Sequence, residues 1–184
     1  VGRVDEASSG AEAMEHLRNA AFDLVILDIS MPGKDGLDVL KDIKTLYPKL
    51  PVIMLSIQQE RQYAVRAFKA GASACLSKAG SPEELLEAIK QVAAGHSYIS
   101  KAVGEALLDD VTGSQEGLPH RHLSDREYQV FLLLASGKTL TEISEQLSLS
   151  VKTVSTYRAR LLEKMGMQNN SQLTHYAFQY RLIQ

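Results

Sequence analysis

The sequence has little cysteine, no long apolar run and no strong excess of either charge. Cys75 is the single cysteine among 184 residues, which excludes an internal disulfide framework and a cysteine-based metal site. No apolar stretch approaches the roughly 18 residues of a membrane helix, so we expect no membrane contact. The sequence also shows no basic-then-apolar secretory leader. These absences favour a protein of the reducing cytoplasm.

The charge is unevenly distributed along the chain. The formal net charge is −2, but residues 1–121 carry −4 and residues 122–184 carry +2. This asymmetry predicts two domains with different partners. The basic excess of the second part is too small to indicate nucleic-acid binding by itself.

The first hundred residues alternate between strand and helix patterns. Short connections between alternating elements are typical of a parallel sheet covered by helices on both faces. Strands are expected at residues 3–7, 23–28, 51–56 and 74–78, and helices at residues 9–20, 36–46, 61–70 and 82–94.

The remaining residues show only helical periodicity. A helix is expected at residues 101–110 and a flexible linker at residues 112–117. We therefore predict a domain at 1–100, a linker at 101–121 and a second domain at 122–184. Four short helices of the second domain are expected to follow Ser124, Thr139, Ser150 and Asn170, the last running to Leu182.

Polar residues stand at the ends of three expected strands: Asp28, Ser56 and Lys78. Because parallel strands place their carboxyl ends at one edge of a sheet, these side chains are expected to converge. A carboxylate can accept a phosphoryl group as an acyl phosphate, a hydroxyl can bind the phosphoryl oxygens, and an ammonium can offset the added charge. The alternatives are a turn aspartate with an ordinary surface serine and lysine. A phosphatase with an aspartate nucleophile would need a second aspartate where Ser30 stands.

A helix-turn-helix is expected at residues 139–165. The helices 139–147 and 150–165 are separated by Ser148 and Leu149. The amino-terminal half of the second helix carries hydroxyls and cations that can reach base edges and phosphates, although a solvated helix face would look similar.

Residues 1–100 resemble the receiver domain of bacterial two-component response regulators. The matching residues are Asp28 with the segment 31–37 (MPGKDGL), Ser56, and Gly71-Ala72 followed by Lys78. The resemblance implies that Asp28 accepts a phosphoryl group from a sensor histidine kinase, that Ser56 is the switch hydroxyl and that Lys78 is the invariant lysine. It leaves Asp28 and the Ser30 carbonyl as ligands of a weak Mg²⁺ site.

The sequence departs from the receiver pattern at two places. No counterpart of the family's first strand, helix and Mg²⁺-binding acidic pair precedes residue 3, and Asp5 and Glu6 lie in the wrong strand to replace that pair. We expect that further residues precede the sequence or were cleaved, that the sheet rearranges, or that a partner chain supplies the strand. Cys75 stands where the family usually has the tyrosine or phenylalanine that reads out the switch.

Residues 122–184 resemble the DNA-binding domain of NarL/LuxR-type regulators in four segments: 123–127 (LSDRE), 142–147 (EISEQL), 150–157 (SVKTVSTY) and 164–166 (KMG). By this resemblance the last helix contacts a second subunit, although its apolar residues could equally form the core. The residues implied are Lys152, Ser155 and Thr156 for the major groove, Thr153, Tyr157, Arg158 and Lys164 for phosphates, and Leu173, Tyr176, Ala177 and Tyr180 for the dimer contact.

The sequence thus predicts a flavodoxin-like α/β receiver, incomplete at its amino terminus, followed by a small four-helix helix-turn-helix domain. We expect a cytoplasmic transcriptional regulator, not an enzyme, that binds double-stranded promoter DNA as a homodimer under control of Asp28 phosphorylation. One alternative is a regulator that binds DNA independently of phosphorylation. Another is an interaction adaptor without DNA contacts.

Overall fold

The computed structural model of the chain describes residues 2–29, 31, 34–56, 61–111, 117–180 and 182–183. The chain forms two compact units, Val1–Ala106 and Leu107–Gln184. Within the described residues, none of the helices combines the length and apolar character needed to cross a membrane. Most of the flexible linker predicted at residues 112–117 lies outside the described residues.

The first unit contains a parallel sheet of three described strands in the order β1-β2-β3. Ile26 pairs with Ile53, and Met54 pairs with Cys75. The predicted alternation of strands and helices is confirmed. The strands are β1 (Val25–Asp28), β2 (Val52–Ser56) and β3 (Ala74–Ser77), and the helices are α1 (Gly10–Asn19), α2 (Gly36–Leu46), α3 (Arg61–Lys69) and α4 (Pro82–Ala93).

The central strand β2 is apolar along most of its length because it is buried on both faces, which is why the sequence predicts it. Val52, Ile53 and Met54 are fully buried in succession, so both faces of the strand are covered. Ile53 packs in one core cluster with Ala88 and Val92 of α4. The strands are held between helices, and their carboxyl ends lie at one edge.

The strand predicted at residues 3–7 is wrong: these residues are not part of a strand. Val4 is 73% exposed, and Arg3 pairs with Asp5 at 2.6 Å. The segment offers no apolar face to bury, so nothing offsets the entropy of ordering it against a sheet.

The second unit is helical. Helix α5 (Lys101–Val111) contains the boundary between the units, and the 3-10 helix Pro119–His122 precedes the helices of the compact domain. The last helix is capped by Asn169, one residue before the predicted cap, and ends at Gln179, three residues before the predicted end. The domain helices are α6 (Asp125–Ala135), α7 (Leu140–Leu147), α8 (Val151–Met165) and α9 (Asn170–Gln179).

Helix α6 forms the centre of this domain. Nine consecutive residues of this helix, from Arg126 to Leu134, are buried. The helix packs against both α8 and α9. Ser124 and Glu127 form a capping box at its start, and Thr139 and Glu142 form a second one at α7. These caps satisfy the first N–H groups of each helix and fix where it begins.

Candidate functional site

The structure brings together two of the three strand-end residues directly. The Lys78 Nζ lies 2.5 Å from the Asp28 Oδ2, although 50 residues separate them. The Lys78 N–H donates to the Ser56 carbonyl at 2.7 Å, which places Ser56 at the same edge. Asp28, Ser56 and Lys78 therefore share the carboxyl edge of the sheet.

The edge combines a carboxylate, a hydroxyl and a cation that differ in solvent exposure. The side chain of Asp28 is 29% exposed and that of Lys78 is 36% exposed, whereas Ser56 is only 9% exposed. Ser77 pairs in register with Ser56 and adds a second hydroxyl, which the sequence analysis missed although it ends β3. A carboxylate open to solvent beside an ammonium can attack a phosphoryl donor, and the ammonium then offsets the new charge.

Helix α2 fixes the backbone that carries Asp28. The Asp35 carboxylate caps this helix by accepting from the Leu37 N–H at 2.9 Å, and the Gly36 N–H donates to the Ile29 carbonyl at 3.1 Å. An added Cβ at Gly36 would lie 2.2 Å from the Asp28 carbonyl oxygen. Gly36 is therefore required for the close approach of α2 to β1.

The receiver domains that residues 1–100 resemble typically use Mg²⁺. Ser30, the predicted second ligand, lies outside the described residues. In the part of the chain that the structure describes, no group of three or more His, Cys, Asp or Glu residues is arranged to hold a metal. Mg²⁺ requires about six oxygen ligands, and the Asp28 carboxylate already holds the Lys78 ammonium. The described residues therefore do not fit a magnesium site by themselves.

Cys75 is a half-buried thiol in the strand beside this edge. It pairs with Met54 in the parallel register, and burial raises its pKa to about 11. A thiol with this pKa is protonated at neutral pH, so it acts as a small apolar side chain and not as a nucleophile.

We expect Cys75 to react with a disulfide reagent at pH 8 about a hundredfold more slowly in the folded protein than in urea, because the thiolate is scarce and covered. Because folding raises this pKa, the neutral thiol contributes to the free energy of unfolding. This contribution is fully present below about pH 8.5 and is lost as the pH rises towards 11. Stopped-flow thiol titration measures the ratio. Equal rates in the two states would contradict the burial.

Helices α7 and α8 form the predicted helix-turn-helix. Ser148 ends α7 in the left-handed region at φ 52°, and Ser150 caps α8 by accepting from the Thr153 N–H at 3.0 Å. Val154 and Leu161 are fully buried on the inner face of α8. This packing against α6 fixes which face of α8 points to solvent.

Six of the seven predicted DNA-binding residues lie in the first half of α8 and divide into two groups by exposure. Lys152, Ser155 and Thr156 are exposed on the outer face of α8, as a major-groove role requires. The Thr156 hydroxyl donates its proton to the Lys152 carbonyl at 3.0 Å, so the same oxygen can still accept a hydrogen bond. The half-buried group at the flanks consists of Thr153, Tyr157 and Arg158.

Two cations of α8 have intramolecular partners that the sequence analysis missed. The Lys164 Nζ donates to the Glu127 Oε2 at 2.6 Å, and Glu127 is 3% exposed. The Arg158 Nε donates to the Asn170 Oδ1 at 2.7 Å. These pairs span 37 and 12 residues, and helical periodicity contains no signal for them.

Three of the four predicted dimer residues lie in the core instead. Leu173 and Ala177 are fully buried, and Tyr176 is 8% exposed. The Tyr176 hydroxyl hydrogen-bonds the His120 Nδ1 at 2.7 Å, and burial raises the Tyr176 pKa to about 12. These three residues pack within their own domain, whereas Tyr180 is 37% exposed.

Each of the two units matches a known protein family. Residues 1–90 match the response regulator receiver domain, and residues 121–177 match the bacterial regulatory proteins of the luxR family. Response regulator UvrY of Escherichia coli K12 is 36% identical over 180 residues, which cover 97% of this chain and 83% of UvrY. The chain is a response regulator of the LuxR type. This family consists of transcription regulators, not enzymes.

Solved structures show the same architecture for related response regulators. RcsB from Salmonella enterica serovar Typhimurium, bound to promoter rprA in the presence of the phosphomimetic BeF₃⁻, is 26% identical with a TM-score of 0.55 over 91% of this chain and 81% of that chain. A structure of two RcsB dimers bound to two parallel DNAs is 26% identical with a TM-score of 0.52, over 92% and 81%.

Proposed function

We propose that phosphorylation of Asp28 by a sensor histidine kinase controls the binding of this response regulator to double-stranded promoter DNA. The observation that carries the proposal is the Asp28–Lys78 ion pair at the carboxyl edge, beside Ser56. The RcsB structure with a phosphomimetic and a promoter supports it as a related case.

The charge at the edge changes when Asp28 is modified. The bond from phosphorus to the donor's leaving atom breaks as a bond from phosphorus to a carboxylate oxygen of Asp28 forms, and the leaving group takes up a proton. The site gains negative charge, because a phosphoryl group carries roughly −1.5 to −2. The Lys78 ammonium can then pair with the phosphoryl oxygens instead of the carboxylate, and the Ser56 hydroxyl can donate a hydrogen bond to the same oxygens.

Promoter recognition uses the outer face of α8. Lys152, Ser155 and Thr156 are proposed to reach base edges in the major groove, because they are exposed near the start of the helix. Thr153, Tyr157 and Arg158 are proposed to approach phosphates from the flanks of the helix. The Glu127 carboxylate offsets the charge of Lys164. Lys164 is therefore proposed to be a weaker phosphate contact than the sequence implied.

A homodimer is proposed to form through the exposed face of α9. Ser171, His175 and Phe178 recur at helical spacing on this face, and Phe178 is 61% exposed. The dimers in the RcsB–DNA structure support pairing of two copies on DNA. We propose this exposed face in place of the buried stripe predicted from sequence.

The proposal is tested by fluorescence anisotropy of promoter fragments, with and without a small phosphodonor and Mg²⁺. We expect the phosphodonor to tighten binding by about tenfold in the natural protein, within the usual range of allosteric coupling, and to leave Asp28→Ala unchanged. Asp38→Ala, which removes an exposed carboxylate of α2, is the matched control and should keep the response.

Intact mass spectrometry on the same samples separates the outcomes. One added phosphoryl group that depends on Asp28, together with tighter DNA binding, supports the proposal. Labelling of Asp28 without any change in DNA binding would show a regulator that acts independently of phosphorylation. Absence of binding to promoter DNA in every state would overturn the DNA-binding role as well.

A further inference from the structure

Arg158 is held in place by a side chain of the neighbouring helix. Its Nε donates to the Asn170 Oδ1 at 2.7 Å, and the contact is partly buried between α8 and the first residue of α9. The backbone carbonyl of Asn170 accepts a hydrogen bond from the Thr174 hydroxyl at 3.1 Å. The acceptor for Arg158 therefore belongs to a regular helix and not to a loop.

The position of Arg158 on α8 explains why it needs such a partner. It lies one helical turn from Val154 and one from Leu162, both buried, so its stem runs along the edge of the core. Its guanidinium has five N–H donors, and the Asn170 contact uses the Nε–H. The four N–H groups on the two terminal nitrogens stay in one plane, where they can form the forked contact that phosphate oxygens accept.

We infer that Asn170 is a positioning residue that orients Arg158 towards the DNA backbone. The inference rests on the proposed DNA-binding function of α8. An arginine side chain loses considerable rotamer freedom when it binds a phosphate, and a hydrogen bond formed before binding reduces that loss. Because Asn170 lies on α9, the contact also links the proposed dimer helix to the phosphate-binding side of α8.

A double-mutant cycle tests this role. Promoter affinity is measured for the natural protein, Arg158→Ala, Asn170→Ala and the double variant at several salt concentrations. We expect Asn170→Ala to weaken binding roughly fivefold, as for loss of one hydrogen bond. Arg158→Ala should reduce the slope of log affinity against log salt by about 0.9, as for loss of one phosphate contact. The double variant should bind no more weakly than Arg158→Ala alone.

Asn169→Ala is the matched control. It removes the cap of α9 but leaves the Asn170 carboxamide in place, so we expect a lower Tm with an unchanged salt slope. Losses from Asn170→Ala that add fully to those of Arg158→Ala, or the same change of slope in Asn169→Ala, would overturn the inference and indicate a general disturbance of α9.

Lys152→Ala separates this inference from the proposed function. If Lys152→Ala and Arg158→Ala both leave promoter affinity unchanged, DNA binding through α8 fails and the inference fails with it. If both weaken binding while Asn170→Ala has no effect, only the positioning role of Asn170 is overturned. Weaker binding by all three, with coupling confined to the Arg158–Asn170 pair, supports the inference.

Discussion

Replacement of Gly36 by alanine is expected to destabilise the receiver unit by about 3 kcal/mol, at the upper end of the range for overpacking. The new methyl group would lie 2.2 Å from the Asp28 carbonyl oxygen and 2.7 Å from the Ile29 Cα. Both are backbone atoms of a strand end, so neither can rotate away as a flexible side chain would. The start of α2 must therefore move away from β1, which also displaces the backbone of Asp28.

Thermal unfolding of Gly36→Ala measures this effect, and Gly104→Ala is its control. A Cβ at Gly104 would meet only the Ile99 Cγ2 at 3.8 Å, an ordinary contact, and the residue lies in α5. Since alanine favours a helix over glycine by about 1 kcal/mol, the control should be neutral or more stable. A Gly36→Ala protein as stable as the natural one would contradict the close approach of α2 to β1.

The fold was predictable where burial leaves a periodic signal. The run at residues 52–55 indicated a strand because β2 is covered on both faces, and a continuous apolar sequence is what that environment requires. The strand prediction for residues 3–7 failed because this short segment, with one valine and one alanine, has no apolar face to bury against a sheet. The apolar pattern predicts an end of α9 at Leu182 because it continues beyond Gln179, where the helix ends.

The convergence of the polar strand-end residues was predictable because parallel topology alone brings strand ends together. Asp28 and Lys78 meet at 2.5 Å without any local sequence signal that pairs them. The role of the α9 stripe was not predictable, because a 3.6-residue period shows that Tyr176 faces a partner but not whether the partner is α6 or a second subunit. In the structure α9 packs against α6, and the Tyr176 hydroxyl bonds His120 of the same domain.

Replacement of Lys164 by methionine is expected to lower the free energy of unfolding by about 3 kcal/mol, because it leaves a buried carboxylate without its cation. The Glu127 side chain is only 4% exposed, whereas that of Lys164 is 43% exposed. Burial by itself raises the pKa of Glu127, but hydrogen bonds from Lys164 and Ser124 outweigh it and hold the pKa below its ordinary value. The ion pair therefore contributes stability above the unfolded pKa of about 4.3.

The pH dependence and a matched variant distinguish this structural role from DNA contact. Because the depressed pKa makes the contribution disappear as the pH falls through the folded value, the difference in stability between Lys164→Met and the natural protein should be largest near pH 7 and shrink in acid. Lys152→Met removes an exposed cation from the same helix and should change stability by less than about 0.5 kcal/mol while weakening promoter binding. Urea unfolding at pH 7 and pH 4 measures both differences. Equal stability of the two variants at pH 7 would show that Glu127 does not depend on Lys164 for its charge.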